Sequence, residues 1–216
     1  MAVQVPNGSI ISIASGYVAA DTVSAVSNAN PAVLTTSAAH GIATGAFFEW
    51  NSGWSRANSR IFRASAASGS VLSPEGFDTS STTNFPAGGG TGTVREISGW
   101  TQIQQILSSS SNGGEQQFTT YQFLEADAER RIPTNKSAAG LTFSIADDAA
   151  LAGYIALSAA NDDRQQRAIR VVLPSGSIIL YNAYVSLNKT PSLTVNEIMA
   201  VQVTLSLLNE PVRYAS

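Results

Sequence analysis

The side chains that could do chemistry are few, and their spacing does not assemble them. His40 is the single histidine, and cysteine is absent. Without a second imidazole or a thiol, a His-based triad, a thiol nucleophile and a Cys-based zinc site all lack their parts. His40 stands between Ala and Gly in "AAHGIATG", which reads as a structural turn. The pairs Asp147-Asp148 and Asp162-Asp163 are of the right type for general acid–base work. They flank one helix-forming stretch, however, so capping and solvation account for them better. "GGGTGT" lacks the lysine of a P-loop and any helix to present it, and the short Ser/Gly runs lack the strand–turn–helix setting of a hydrolase nucleophile. Trp50, Trp54 and Trp100 could stack on sugars or bases, but core or interface anchoring is their commoner use. "DDRQQR" (162–167) has charges that nearly cancel, which suits a solvated edge or a subunit salt bridge. The expectation is a protein with no catalytic residue, no cofactor and no metal site.

Composition narrows the class. Of the 216 residues, 44% are hydrophobic, enough for a real core. Charged residues make up only 12%, about half of the ~25% usual in soluble domains, and the net charge is −3. Such a surface suits extensive subunit contacts or an exposed secreted module. No run approaches the ~20 apolar residues of a membrane span, and no basic patch marks nucleic-acid recognition. The first residues carry no basic segment ahead of an apolar run, so no export signal is expected.

The elements that would position these residues are mostly strands. "GSIISIASG" (8–16) is a short strand bounded by glycines. Residues 21–96 hold short strands divided by Gly, Ser and Asn, which predicts a small all-β module. "GWTQIQQILSSS" (99–110) fits either helix or strand, and its neighbours favour strand. "QQFTTYQFL" (116–124) and "LTFSI" (141–145) are strands, and 125–140 between them reads as a long polar connection. "DDAALAGYIALSAAND" predicts the one convincing helix, over 147–160, capped by Asp147 and stopped near Asn161. Leu151, Tyr154, Ile155 and Ser158 form its packed side. "AIRVVLPSGSIILYNAYVSL" (168–187) is a hairpin turning at Pro174-Ser175-Gly176. A loop is expected over 188–197. In the closing strand (198–208), Val201, Val203, Leu205 and Leu207 face a core while Gln202, Thr204 and Ser206 face outward, polar and uncharged.

From the hairpin onward, "LPSGS", "YNAYVS", "TVNEI" and "VQVTLSLL", with the preceding helix, resemble the C-terminal core of the major tail tube proteins of long non-contractile-tailed (lambda-like, siphovirus) bacteriophages. The resemblance covers about 97–213 and the strand near 8–16, and rests on the order and spacing of elements. It implies a mainly β fold: a tail-tube β-sandwich or rolled sheet with one flanking helix, formed by 1–20 and 97–216, with 21–96 as an inserted β module. It implies a structural virion protein whose hexameric rings stack into the hollow conduit for DNA ejection. The implied partners are other copies of the chain, the tape measure, tail terminator and baseplate proteins, and phage DNA in transient, non-specific contact, with no membrane. The implied location is the phage tail, after synthesis in the host cytoplasm. On this reading Glu125, Asp127, Glu129, Arg130, Arg131 and Lys136 belong to an inter-ring assembly loop, and Gln202, Thr204 and Ser206 line the lumen. The alternatives are another tail component of the same fold, either a tail terminator or a baseplate ring protein, and a secreted β-rich adhesion module.

Overall fold

Two β units are built around one shared strand. The computed structural model describes residues 7–215. Strand β7 (Gly92–Ile103) changes partners along its length. Residues 92–96 pair with β2 (Asp21–Val26) and β4 (Phe47–Ser52), whereas residues 97–103 pair with β1 (Ile10–Tyr17).

The first unit is a closed barrel. From β2 the order runs through β3 (Leu34–Thr36), β6 (Val71–Pro74), β5 (Arg60–Ser68) and β4 to β7, which pairs back onto β2. Closure removes the open edges that short strands would otherwise expose. Phe48, Trp50, Phe62, Leu34, Leu72 and Val94 fill the interior, and Trp54 and Phe85 pack against it. Trp50 meets Trp54 and Phe77 edge-on, with ring centres 6.1 and 6.0 Å apart. Two of the three tryptophans are thus core anchors.

The second unit is one rolled sheet. Its order is β7, β1, β12 (Arg167–Val172), β13 (Ile178–Ser192), β14 (Ala200–Leu207), β11 (Gly140–Ala146) and β8 (Ile106–Asn112). β7 and β8 stand at opposite ends of this run, yet only Gln104 and Gln105 join them in the chain. The sheet therefore has to curl until its ends approach, and Gln105 makes the turn at φ 57°. Helix α1 (Ala152–Asp163) packs on β13, β7 and β1. Gly153 lies so close to β7 that a Cβ there would come within 2.6 Å of the Gln102 carbonyl oxygen. Ile13, Phe143, Ile145, Leu157, Ile169, Val185, Val201, Val203 and Leu205 fill the roll. The mainly β fold with one flanking helix is present in its rolled-sheet form. A final strand, β15 (Val212–Tyr214), pairs with β13.

Three sequence expectations change. The helix starts at Ala152 and not at Asp147, and its N-cap, Leu151, makes no side-chain capping bond. Instead the Asp148 carboxylate accepts the Ala150 N–H at 3.1 Å, and the Asp147 N–H donates to the Met199 carbonyl. Such local aspartate bonds hold the chain in a turn and delay the helix. The helix also runs past Asn161 to Asp163 and buries Gly153, Leu157 and Ala160, leaving Ile155 exposed. Gly153 lets this face approach β7 closely, and Leu157 and Ala160 join the core of the roll. Next, 125–140 is not a free connection: β10 (Arg130–Lys136) pairs with β9 (Gln116–Tyr121). Finally, β13 extends to Ser192, so the loop expected over 188–197 is confined to 193–199.

Candidate functional site

Along β14 the burial alternates as its sequence demands. Val201, Val203 and Leu205 are buried, Gln202 and Ser206 are exposed, and Thr204 is half-buried. Register extends this outer face sideways. Gln202, Thr204 and Ser206 lie beside Ser144, Thr142 and Gly140 of β11, which lie beside Ser108, Ser110 and Asn112 of β8. On the other flank they lie beside Asn188, Ser186 and Tyr184 of β13. Three positions on each of four adjacent strands thus form a hydrated wall without one charged side chain.

The same face of β13 continues in the other direction as Asn182, Leu180 and Ile178, and there the barrel covers it. Leu180 packs with Ile61 of the barrel. Glu49 on β4 is fully buried at this junction. Its carboxylate accepts from Arg95 Nε at 2.5 Å, from Asn182 Nδ2 at 2.8 Å, and from Gln166 Nε2. Sequence reading missed this group; the signal available was one acid inside the apolar run "FFEW". Two tyrosines close the junction. Tyr17 OH accepts the Ala168 N–H at 2.8 Å with the Arg95 guanidinium over its ring, and Tyr214 OH accepts the Arg63 N–H at 2.9 Å with Arg63 over its ring. Burial raises both phenols, Tyr214 to about 12.

At one end of the wall β8 and β11 continue into an arm. Gly113 and Gly114, both at positive φ, carry β8 into β9, and β10 returns to β11. Gly113 has no alternative, since a Cβ would meet the Ala138 carbonyl oxygen at 1.9 Å. The structure places Glu125, Asp127 and Glu129 in the turn of this arm, and Arg130, Arg131 and Lys136 on its return strand, all exposed. Lys136 reaches back to Glu210 on the body and holds that carboxyl below its ordinary range. The other five join no ion pair among the described residues. Phe118, Phe123, Leu124 and Ile132 of the arm are also exposed.

The remaining chemical candidates take structural places. His40 Nδ1 accepts the Ile42 N–H at 3.0 Å, so Nε2, 3.1 Å from the Val71 carbonyl, carries the proton. Asp162 is held below its usual range chiefly by its bond to Lys189, and Asp163 pairs with Arg167. Among the described residues, no three His, Asp or Glu side chains gather as metal ligands, and no helix is long and apolar enough to cross a membrane.

An open-edged sheet, a projecting arm and a broad uncharged wall define a structural subunit built to meet other subunits. The family model for the phage tail tube protein matches residues 52–216, and the chain belongs to that family. The match takes in β5, β6 and all of β7 as well as the rolled sheet after it, so it reaches well into segment 21–96. Its role is therefore that of a structural tail tube component of the virion, assembled with other tail subunits. A comparison with curated proteins finds no match. One solved structure, the cryo-EM structure of the anti-feeding prophage cap (AFP tube terminating cap), is 21% identical, with 53% of this chain and 83% of that chain covered and a TM-score of 0.38.

Proposed function

We propose that this chain is the major tail tube subunit of a long non-contractile phage tail. Its copies close into hexameric rings, and the rings stack into the conduit through which DNA leaves at infection. The uncharged wall of β8, β11, β14 and β13, with Gln202, Thr204 and Ser206 at its centre, lines the lumen. That wall is the observation that carries the reading. DNA is a dense polyanion, and cationic walls hold it through counterion release. A Ser/Thr/Asn/Gln wall stays hydrated and gives the passing duplex no ionic grip. β8 leaves one edge of the sheet open, and in a ring that edge joins the neighbouring subunit. The arm residues Glu125, Asp127, Glu129, Arg130, Arg131 and Lys136 serve contacts between rings. Segment 21–96 is an added module that covers the Ile178–Asn182 end of the same β13 face and stands beyond the wall, toward the outside of the tube, since bulk in the channel would obstruct DNA. Tape measure, terminator and baseplate proteins are the remaining partners, met after synthesis in the host cytoplasm. Negative-stain microscopy of the purified chain at high concentration tests the reading. Stacked rings with a continuous channel are expected, and particles that stay monomeric or stop at one ring under all conditions would overturn it.

A further inference from the structure

The rolled sheet presents different but matching chemistry at its two ends. β14 runs from Ala200 to Leu207, and antiparallel β11 runs from Gly140, opposite Ser206, to Ala146, opposite Ala200. The arm leaves from the end marked by Asn112, Gly140 and Ser206. The loop 193–199 lies at the opposite end, where the Met199 carbonyl accepts the Asp147 N–H at 2.9 Å.

Both ends expose apolar side chains to water. On the loop these are Leu193 (78% exposed), Val195 (85%), Ile198 and Met199, and on the arm they are Leu124, wholly exposed beside Phe123 in the turn, and Ile132 on the return strand. Exposed apolar clusters of this kind mark contact surfaces. The charges are complementary as well. Asp147, Asp148 and Glu197 stand on or beside the loop, and none joins an ion pair among the described residues. Lys189, the cation on the adjoining stretch of β13, is already held by Asp162 at 2.9 Å. The arm offers Arg130 and Arg131, both exposed and unpaired among the described residues, with Ile132 on the same face as Arg130. Its own acids, Glu125, Asp127 and Glu129, lie in the turn ahead of them.

We propose that the loop 193–199, with the acidic edge at Asp147-Asp148, is the receiving surface for the arm of a second copy of this chain in the next ring. Leu124 and Phe123 pack on Leu193, Val195 and Ile198, while Arg130 and Arg131 meet Asp147, Asp148 and Glu197. The proposal rests on the stacked-ring reading and identifies the two surfaces that make the stack. A second copy is the occupant because both surfaces belong to one chain and lie at opposite ends. The loop does not match itself, since acid does not pair with acid, whereas the arm carries the cations that it lacks. A contact between unlike surfaces repeats head to tail without closing, which is how a filament grows.

The chain has no cysteine, so engineered thiols report this contact cleanly. Tubes assembled from the Leu124→Cys, Val195→Cys double variant and then oxidised should give a ladder of linked chains on a non-reducing gel. Each single variant, with one thiol per chain and no thiol facing it, should stay monomeric on the same gel. Assembled double-variant tubes without a ladder overturn the proposal. So does efficient arm-to-arm linkage in Leu124→Cys alone, because it makes the contact symmetric. As a second measurement, Val195→Ser with Ile198→Ser should leave thermal unfolding unchanged and reduce tubes to single rings. Tubes of normal length from that variant overturn the proposal and give the loop to a different tail protein. A wild-type chain that forms neither rings nor tubes overturns the stacked-ring reading itself, an outcome separate from tubes that form without the linkage.

Discussion

At the residue scale the most consequential group is Glu49. Its carboxylate is fully buried and satisfied by Arg95, Asn182 and Gln166, which come from the barrel strand β7, from β13 and from the segment before β12. Removing one partner of a buried, bonded charge typically costs about 3–5 kcal/mol, because the other groups are left unpaired. Glu49→Ala should therefore lower the free energy of unfolding in a urea titration by roughly that amount. Glu49→Gln keeps an amide oxygen for two donors and should cost less. An unchanged midpoint in Glu49→Ala would show that the junction is held by packing alone. Tyr214 supplies a pH test. Its phenol rises from 10.0 to about 12 in the folded chain, so at intermediate pH the unfolded chain has lost a proton that the folded chain keeps. Stability is then intact below about pH 10 and falls as pH climbs toward 12. Burial raises Tyr17 and Tyr181 as well, and they add to the same slope. Tyr214→Phe should flatten the loss of stability across that window, while costing about 1–3 kcal/mol at neutral pH for the Arg63 N–H left unsatisfied. Alkaline denaturation curves of equal slope would remove Tyr214 from this account. His40 could be read from its Ala/Gly neighbours as a turn residue, since its bonds to Ile42 and Val71 serve local loop geometry. Glu49 could not be read in the same way, because two of its partners lie more than a hundred residues further along the chain.

At the element scale the arm separates folding from assembly. β9 and β10 pair only with each other and bury almost nothing, so the body should fold whatever charge the arm carries. Replacing Arg130 and Arg131 together by Glu should leave the circular dichroism spectrum and melting temperature within error of the parent. Exposed ion pairs are worth only ~0–1 kcal/mol each, but a ring repeats them in every subunit. The double variant should therefore form shorter tubes, or only rings, by electron microscopy, and tubes of parental length would show that these cations make no inter-ring contact. The outgoing strand of the arm was legible within 116–124, but its return strand, Arg130–Lys136, was not. Half-buried strands announce themselves by alternating apolar and polar residues, but both faces of this hairpin meet water and no alternation is imposed. The helix was legible as an element and not in its bounds. Its periodic residues were present, but Asp148 bonded its own turn, and the buried face fell on Gly153, Leu157 and Ala160, with Gly153 tight against β7, and left Ile155 exposed.

At the scale of the whole molecule the barrel and the wall divide one surface between them. The outer face of β13 is covered by the barrel at Leu180 and Asn182 and open at Tyr184, Ser186 and Asn188. The period-two pattern of β14 made its own share of the wall readable, because one buried face fixes the other. Its width was not readable, since it depends on β8 and β13 joining the same ladder, and strand order is not written in local sequence. The wall also supplies the sharpest test of the channel reading. Replacing Gln202, Thr204 and Ser206 together by Lys adds cations at adjacent rungs of β14 in every subunit. The apolar face, Val201, Val203 and Leu205, is untouched, and lysine stems can lie along the sheet with their ends in water, so the subunit should still fold. If the wall lines the lumen, DNA release from assembled particles should slow or stall. The defect should ease as salt rises, because the gain from releasing counterions shrinks with salt concentration. Release kinetics at low and high ionic strength, on particles first shown by microscopy to have complete tails, decide the matter. Parental release rates from Lys-bearing particles would place this wall away from the DNA. Failure to form rings at all, from a subunit that still melts cooperatively, would place it in a seam between subunits, where burying three unpaired ammonium groups costs several kcal/mol or more.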